Sequence, residues 1–591
     1  MAKYASTTTV LFPSLIVVLL LLGIFFRFAN LDYKVYWHDE VYTSIRAAGF
    51  TRQEIDQELF QNRIVAAQEL QKFQRIKPGS TANDTLNSLA VEDPQHPPLY
   101  FLMARFWMQM FGSSLTASRS LPALLSLLGL PLMYGLGLEL FGSRFVALLA
   151  TVLLALSPFD VLFAQTARQY SLLTVAVICS SFSLLRAVRC SLREPPQASP
   201  TWQNWVLYSL GSALGLYTQP IFGLTLIAQG VYVLLLSLPF GSPKPETQRL
   251  VTWWRQSYLF WQYLLAVLGA FILYSPWLVV IKTHYQRFSD TTDWTTLLVG
   301  LLYLVKLWIL SFTCLFFDLE VGFDNVWTYL LRLPVVLLIA AAIYTVCRQT
   351  NRKTWLFILT TIFVPFLMLA LPDVLYGGKR SAVTRYLISC YPGVQLAVAY
   401  LLAHKLLVGQ LFWRGVMALL LTGSIASCTV RTFSNTWWDK DLSYFNMEVA
   451  KIINTDGTRG DLRFAAPHLS AALATLGASA YANTAALRDR TNYPLVLSDI
   501  GDDFTNTGDL ISLSYELDEN VRLLLLSKPP NLAPLQSYSE PLVFRPSKQV
   551  CKALKDEKSY LDKAFAPGQL WRVRHNGSES GRLNNNSRLS C

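Results

Sequence analysis

About eleven apolar runs constrain this chain more than any other feature, because roughly 20 consecutive apolar residues cross a bilayer as a helix. They fall near residues 10–29, 119–139, 145–163, 170–188, 204–220, 222–240, 259–280, 327–347, 355–371, 386–403 and 413–431. Composition agrees. Only 15% of the 591 residues are charged, against roughly 25% in soluble domains. The run at 10–26 is longer than a signal-peptide core, and no small-x-small cleavage site follows it, so it is expected to stay as the first span. The expected fold class is a polytopic α-helical membrane protein carrying a small soluble C-terminal domain, α/β or α+β.

The formal net charge is +12. A nucleic-acid binder would gather that charge on one polar face. Here it sits in short loops between apolar runs, as with Arg186, Arg189 and Arg193 and then Lys244, Arg249 and Arg255. That is the positive-inside pattern, and some of the charge can also attract anionic headgroups. Two further apolar stretches, 97–111 and 297–317, interrupt it. With Lys3 inside and neither stretch spanning, Arg144, the 186–193 group, 244–255, Arg348, Arg352, Lys353 and Lys405 all fall on the cytoplasmic side. Both stretches are therefore expected as amphipathic helices at the outer surface, and the C-terminal tail is expected outside.

The expected division is a membrane domain over 1–431 with a first outer loop at 31–98, an extracytoplasmic soluble domain over 432–575, and a disordered, Asn/Ser/Arg-rich tail over 576–591. A connector as long as 31–98 is usually functional. Its middle, 52–75, lacks Gly and Pro and is expected to be a surface helix. The eight cysteines show no metal-binding spacing. Cys551 and Cys591 could pair if the tail lies outside the cytoplasm.

Four segments can carry chemistry. Asp39-Glu40 follows the first span. Two carboxylates there are either a solvated pair or a general base serving an acceptor hydroxyl. Asp93-Pro94-Gln95-His96-Pro97-Pro98 closes the outer loop, where the prolines start a helix that Asp93 could cap. Asp93 and His96 either make ordinary interfacial contacts or line a polar site with Asp39, with a divalent cation as one possible occupant. Gln165-Thr166-Ala167-Arg168-Gln169-Tyr170 links two spans. Arg168 either snorkels to headgroups or grips a phosphate. Lys379, Arg380 and Arg385, beside Tyr386, place three cations in an outer loop against the charge rule. An anionic ligand would explain them, and snorkelling is the alternative. Tyr217, in the polar turn Tyr217-Thr218-Gln219-Pro220, either borders the same site or belongs to an interfacial aromatic belt. No Walker-type phosphate loop or dinucleotide fingerprint is present, so an activated donor would arrive within the bilayer.

Trp37-His38-Asp39-Glu40, then His96-Pro97-Pro98-Leu99-Tyr100, then Gln165-x-x-Arg168-x-Tyr170-Ser171-Leu172, then Arg385-Tyr386-Leu387 resemble, in order and spacing, the GT-C glycosyltransferases. The nearest resemblance is to the glycosyltransferase family 39 and RgtA-like group, related to protein O-mannosyltransferases and the lipid A aminoarabinose transferase. It covers about residues 8–431. The resemblance implies a polyprenyl-phosphate-sugar donor and a site on the non-cytoplasmic face. It also implies Asp39 as base with Glu40 beside it, and Arg168, Tyr170 and Arg385 near the donor phosphate. Asp93 and His96 would close the first loop, and Gln165, Tyr217 and Tyr386 complete the candidate substrate-binding set. Thr166 departs from the family, which carries an acidic residue there, and this weakens the case for a metal at that position. The acceptor is not implied. Two other readings remain open at this stage: a lipid-linked-sugar transporter or flippase, and a non-catalytic membrane assembly protein.

Overall fold

The computed structural model describes residues 2–192, 202–238, 246–319, 322–440, 442–456, 494–502, 505–538 and 541–575. The chain forms two compact units, each built from non-contiguous segments. One comprises Met1–Tyr33 with Thr81–Ser434, the other Lys34–Ser80 with Asn435–Cys591. The first outer loop, which the sequence reading joins to the membrane domain, is thus largely part of the C-terminal unit.

The first unit is helical. Among the described residues seven helices are long and apolar enough to cross a membrane, and up to nine if each of two bent pairs counts as one span. All eleven expected runs are helical, but Trp202–Thr218 and Tyr391–Leu407 have only 17 residues each. The run at 145–163 is broken into Arg144–Ala155 and Pro158–Ala164, bent by 56°. The cause is Pro158, which has no N–H to give to the Leu154 carbonyl. Arg27 repairs the break. Its guanidinium donates to Leu154 O at 3.0 Å and Ala155 O at 2.5 Å, and also to Gly23 O at 2.8 Å. Gly23 allows this closeness, since a Cβ there would lie 2.6 Å from the Ala155 carbonyl oxygen. Small residues bring membrane helices together in this way.

The two doubtful stretches become the helices Leu99–Phe111 and Leu301–Thr313, each 13 residues. At about 1.5 Å per residue, each falls short of a bilayer core. The second follows Tyr285–Thr296 at a 98° bend.

The second unit contains a six-stranded mixed sheet: β1 (Arg63–Ala66), β2 (Leu495–Asp499), β3 (Arg522–Leu526), β4 (Leu542–Phe544), β5 (Ser559–Phe565) and β6 (Leu570–His575). Their order across the sheet is β1-β3-β2-β4-β6-β5. The β3-β2-β4 centre is parallel and the other pairings are antiparallel. Leu523 to Leu526 are fully buried, as expected of a central strand covered on both faces. Leu495, Leu497, Leu524, Val543, Val550 and Leu554 build the core between sheet and helices.

The surface helix expected at 52–75 is not one helix. Arg52–Leu59 is helical, Asn62 turns the chain at φ 56°, and Ile64-Val65 enter the sheet as β1. Pairing with β3, far away in sequence, overrides local helix propensity. The tail 576–591 lies outside the described residues. Cys551 is disulfide-bonded, and Cys591 lies outside the described residues.

Candidate active site

In the second unit, Trp37 caps the helix His38–Ala48. Glu40, fully buried, reaches back to accept the Trp37 backbone N–H at 3.2 Å and pairs with Lys440 at 3.7 Å. Lys440 Nζ also lies 5.8 Å from the Trp37 ring centroid. These contacts make Glu40 a helix-capping residue. Asp39 sits half-buried in the first turn, its carbonyl accepting from Thr43 Oγ1 at 3.0 Å. His38 is anchored separately, through its backbone N–H to Ser443 Oγ at 2.9 Å and through Nδ1 to Asp509 at 3.3 Å. Tyr36 packs edge-on against Tyr515 at 5.1 Å. Burial pushes the Tyr515 hydroxyl up to about 12, so it stays neutral.

In the first unit, Asp93 terminates the helix Ala82–Glu92 and does not cap the next one, whose cap position is Pro98. Its carboxylate accepts Gln95 Nε2 at 3.2 Å. His96 turns toward the kink before Tyr170. Its Nε2 meets Arg168 Nη2 at 3.3 Å and its Nδ1 meets the Gln169 amide at 3.2 Å. Arg168 can only donate, so Nε2 is the accepting nitrogen. Gln169 is linked on to Gln219 at 2.8 Å. Tyr217, in the same turn, donates to Leu273 O at 3.0 Å and packs on Tyr274. Gln165 also has a structural task, its amide bonding Phe26 O and Ala29 O, both at 2.7 Å, at the end of the first helix.

The three loop cations separate by role. Arg380 pairs with buried Asp373 at 3.2 Å, and the other Asp373 oxygen accepts Ser381 N at 2.6 Å and Ser381 Oγ at 2.7 Å. Gly378 is required here. Its φ is +135°, and a Cβ would lie 2.6 Å from Asp373. With the loop so fixed, Arg385 lies 5.9 Å from the ring centroids of Tyr170, Trp294 and Tyr386. Arg168 lies 5.9 Å from the same Tyr170 ring, and Lys379 lies 5.0 Å from Trp294. Two guanidiniums share one aromatic ring while a third cation stands on the neighbouring one. Such a set can receive a multiply charged anion such as a phosphate. Trp294, Gln169, Gln219 and Asp373 escape the sequence reading. Gln219 lies inside a turn already singled out, and Asp373 is the one acidic residue of an apolar helix, a signal that could have found it, while Trp294 carries no local signal. Among the described residues, no three His, Cys, Asp or Glu side chains gather to hold a metal ion.

Residues 95–280 match the family model for dolichyl-phosphate-mannose-protein mannosyltransferase. Among solved structures, the chain is similar to ArnT from Cupriavidus metallidurans bound to undecaprenyl phosphate. The TM-score is 0.50 at 12% identity, covering 96% of this chain and 99% of that one. The chain has the GT-C fold. This GT-C chain is also similar to the apo state of ArnT, with a TM-score of 0.49 at 14% identity over 96% of this chain and 98% of that one. A third similarity is to the oligosaccharyltransferase AglB from Archaeoglobus fulgidus in complex with an inhibitory peptide and a dolichol-phosphate, with a TM-score of 0.43 at 12% identity over 98% and 76% of the two chains. No curated protein matches the sequence. The GT-C segment matched by the family model contains His96, Arg168, Gln169, Tyr170 and Gln219. Asp39, Trp294, Lys379 and Arg385 lie outside it.

Proposed function

We propose that this protein is a glycosyltransferase. It moves a sugar from a polyprenyl-phosphate donor to a lipid, glycan or protein acceptor on the non-cytoplasmic face of a plasma or inner membrane, as part of cell-envelope glycosylation. The observation that carries the proposal is the grouping of Arg168, Arg385 and Lys379 around Tyr170 and Trp294 in a chain of GT-C fold. The matched family's description names dolichyl-phosphate mannose, and ArnT was solved with undecaprenyl phosphate. Both support a lipid-phosphate donor. A disulfide at Cys551 agrees with an extracytoplasmic C-terminal unit.

The reaction is a single displacement. The acceptor's O–H or N–H proton passes to the Asp39 carboxylate, and the freed lone pair forms the new bond to the anomeric carbon. The bond between that carbon and the lipid phosphate oxygen breaks, leaving its electron pair on the phosphate. The product is inverted at the anomeric carbon. Arg168, Arg385 and Lys379 stabilise the charge that develops on the leaving phosphate. A phosphate monoester is a good leaving group, so no acid catalyst is needed. His96 and Gln169 orient Arg168, and Asp373 with Arg380 orient the loop that carries Arg385.

Deleting the gene and profiling the cell's glycans tests the proposal. One glycan, glycolipid or glycoprotein is expected to lose a single sugar while the corresponding polyprenyl-phosphate sugar accumulates. An unchanged glycan profile with an unchanged donor pool would contradict it.

A further inference from the structure

We infer that the C-terminal sheet domain is a positioning device for Asp39, acting through an Asp509–His38 clamp. The inference rests on the transferase reading above and deepens it. In open parallel sheets, ligands bind at the carboxyl ends of the strands, where successive connections depart in opposite directions. Here that point lies between β2 and β4, because the chain leaves β2 for β3 on one side and then crosses to β4 on the other. No foreign ligand is needed to fill this crevice. Asp499, at the end of β2, accepts Ser547 N at 3.3 Å, and Asp502 accepts Lys548 N at 3.2 Å. Both occupy the N-terminus of the helix Lys548–Asp556. Asn506 ties the two strand ends together, bonding Asp499 O and Arg545 O, both at 2.9 Å.

What this edge does hold is the start of the Asp39 helix. Asp509, on the helix Asn506–Ser514, is fully buried. One of its oxygens takes His38 Nδ1 at 3.3 Å and Ser443 Oγ at 3.1 Å, and the other pairs with Arg545. Arg545 in turn donates to Leu442 O at 2.7 Å. Gly508 lets the two helices meet, since a Cβ there would lie 2.9 Å from His38 Nδ1 and 2.6 Å from the Tyr42 ring. Asp39 therefore sits between two residues held from the C-terminal segment: His38 by Asp509 and Ser443, and Glu40 by Lys440. Burying Asp509 is costly unless it is paired and hydrogen-bonded, and its partners are Arg545, Ser443 and His38, the residue next to the proposed base. A base displaced by about 1 Å loses on the order of 100-fold in rate.

The test uses the full-length protein with Asp509→Asn, Gly508→Val, His38→Asn and Asp39→Asn. Transfer is measured on the glycan lost in the deletion strain, and backbone hydrogen exchange is followed at residues 37–45. Asp509→Asn and Gly508→Val are expected to lower kcat about 100-fold with KM unchanged. Both are also expected to speed exchange at 37–45 while leaving β2 and β3 protected. His38→Asn keeps an N–H near the Nδ1 position and is expected to retain at least a tenth of the rate. An Asp509→Asn protein at wild-type rate, beside an inactive Asp39→Asn protein, would overturn the clamp and leave the transferase reading standing. Loss of activity in His38→Asn equal to that in Asp39→Asn would also overturn it, by making His38 a catalytic residue. If Asp39→Asn stays active, the assignment of Asp39 as the base fails. The clamp is then decided by exchange alone, and unchanged exchange at 37–45 in Asp509→Asn rejects it.

Discussion

Arg380 and Arg385 stand in the same loop and carry the same charge, yet one is engaged by Asp373 and the other lies among three aromatic rings. Substitution should separate them. Arg385→Ala is expected to lower transfer roughly 100- to 1000-fold, the cost of removing one preorganised electrostatic group. Arg385→Lys should recover only part of this, because the planar guanidinium fork is lost. Steady-state kinetics checks both, and an Arg385→Ala enzyme at full rate would remove Arg385 from the phosphate grip. Sequence alone exposes the anomaly of three outer-loop cations but cannot sort them, because Asp373, the residue that engages Arg380, belongs to the preceding helix and no local pattern says which cation it meets. Asp39 and Glu40 pose the same problem. Adjacent in sequence, they differ in role because helix geometry turns Glu40 back onto the Trp37 N–H.

At the scale of elements, the broken pair Arg144–Ala155 and Pro158–Ala164 is legible only as one apolar run. Pro158 marks the break, but nothing nearby announces that Arg27 will answer the carbonyls there from another helix. Arg27→Met should leave the Ala155 carbonyl without its donor, at roughly 1–3 kcal/mol for an unsatisfied group. Thermal unfolding in detergent is expected to show a clearly lowered Tm, and an unchanged Tm would mean the carbonyls find other partners. The reading of 52–75 as a helix failed for the complementary reason. Its propensity is helical, but β3 offers Ile64 and Val65 a ladder that no local pattern reveals. The long apolar helices, by contrast, are legible because each is a continuous apolar run.

At the scale of the molecule, the membrane-protein class and a separate C-terminal domain are legible in the sequence, but the chain's return is not. Composition changes near 431 and marks the soluble part as starting there, while Lys34–Ser80 contributes β1 and the Asp39 helix to the same unit. Contributions from distant segments leave no compositional edge. Cys551 offers a check on the compartment of this unit. In protein purified without reductant, Cys551 is expected to resist alkylation until a reductant is added, and mass spectrometry showing it modified beforehand would place the unit in a reducing environment. The role of Asp39 is decided by sugar transfer in Asp39→Asn, produced at the wild-type level, onto the glycan that the deletion strain lacks. Transfer is expected to fall at least 100-fold with the protein still folded, whereas an Asp39→Asn protein that restores the missing sugar at the wild-type rate would show that Asp39 is not the base.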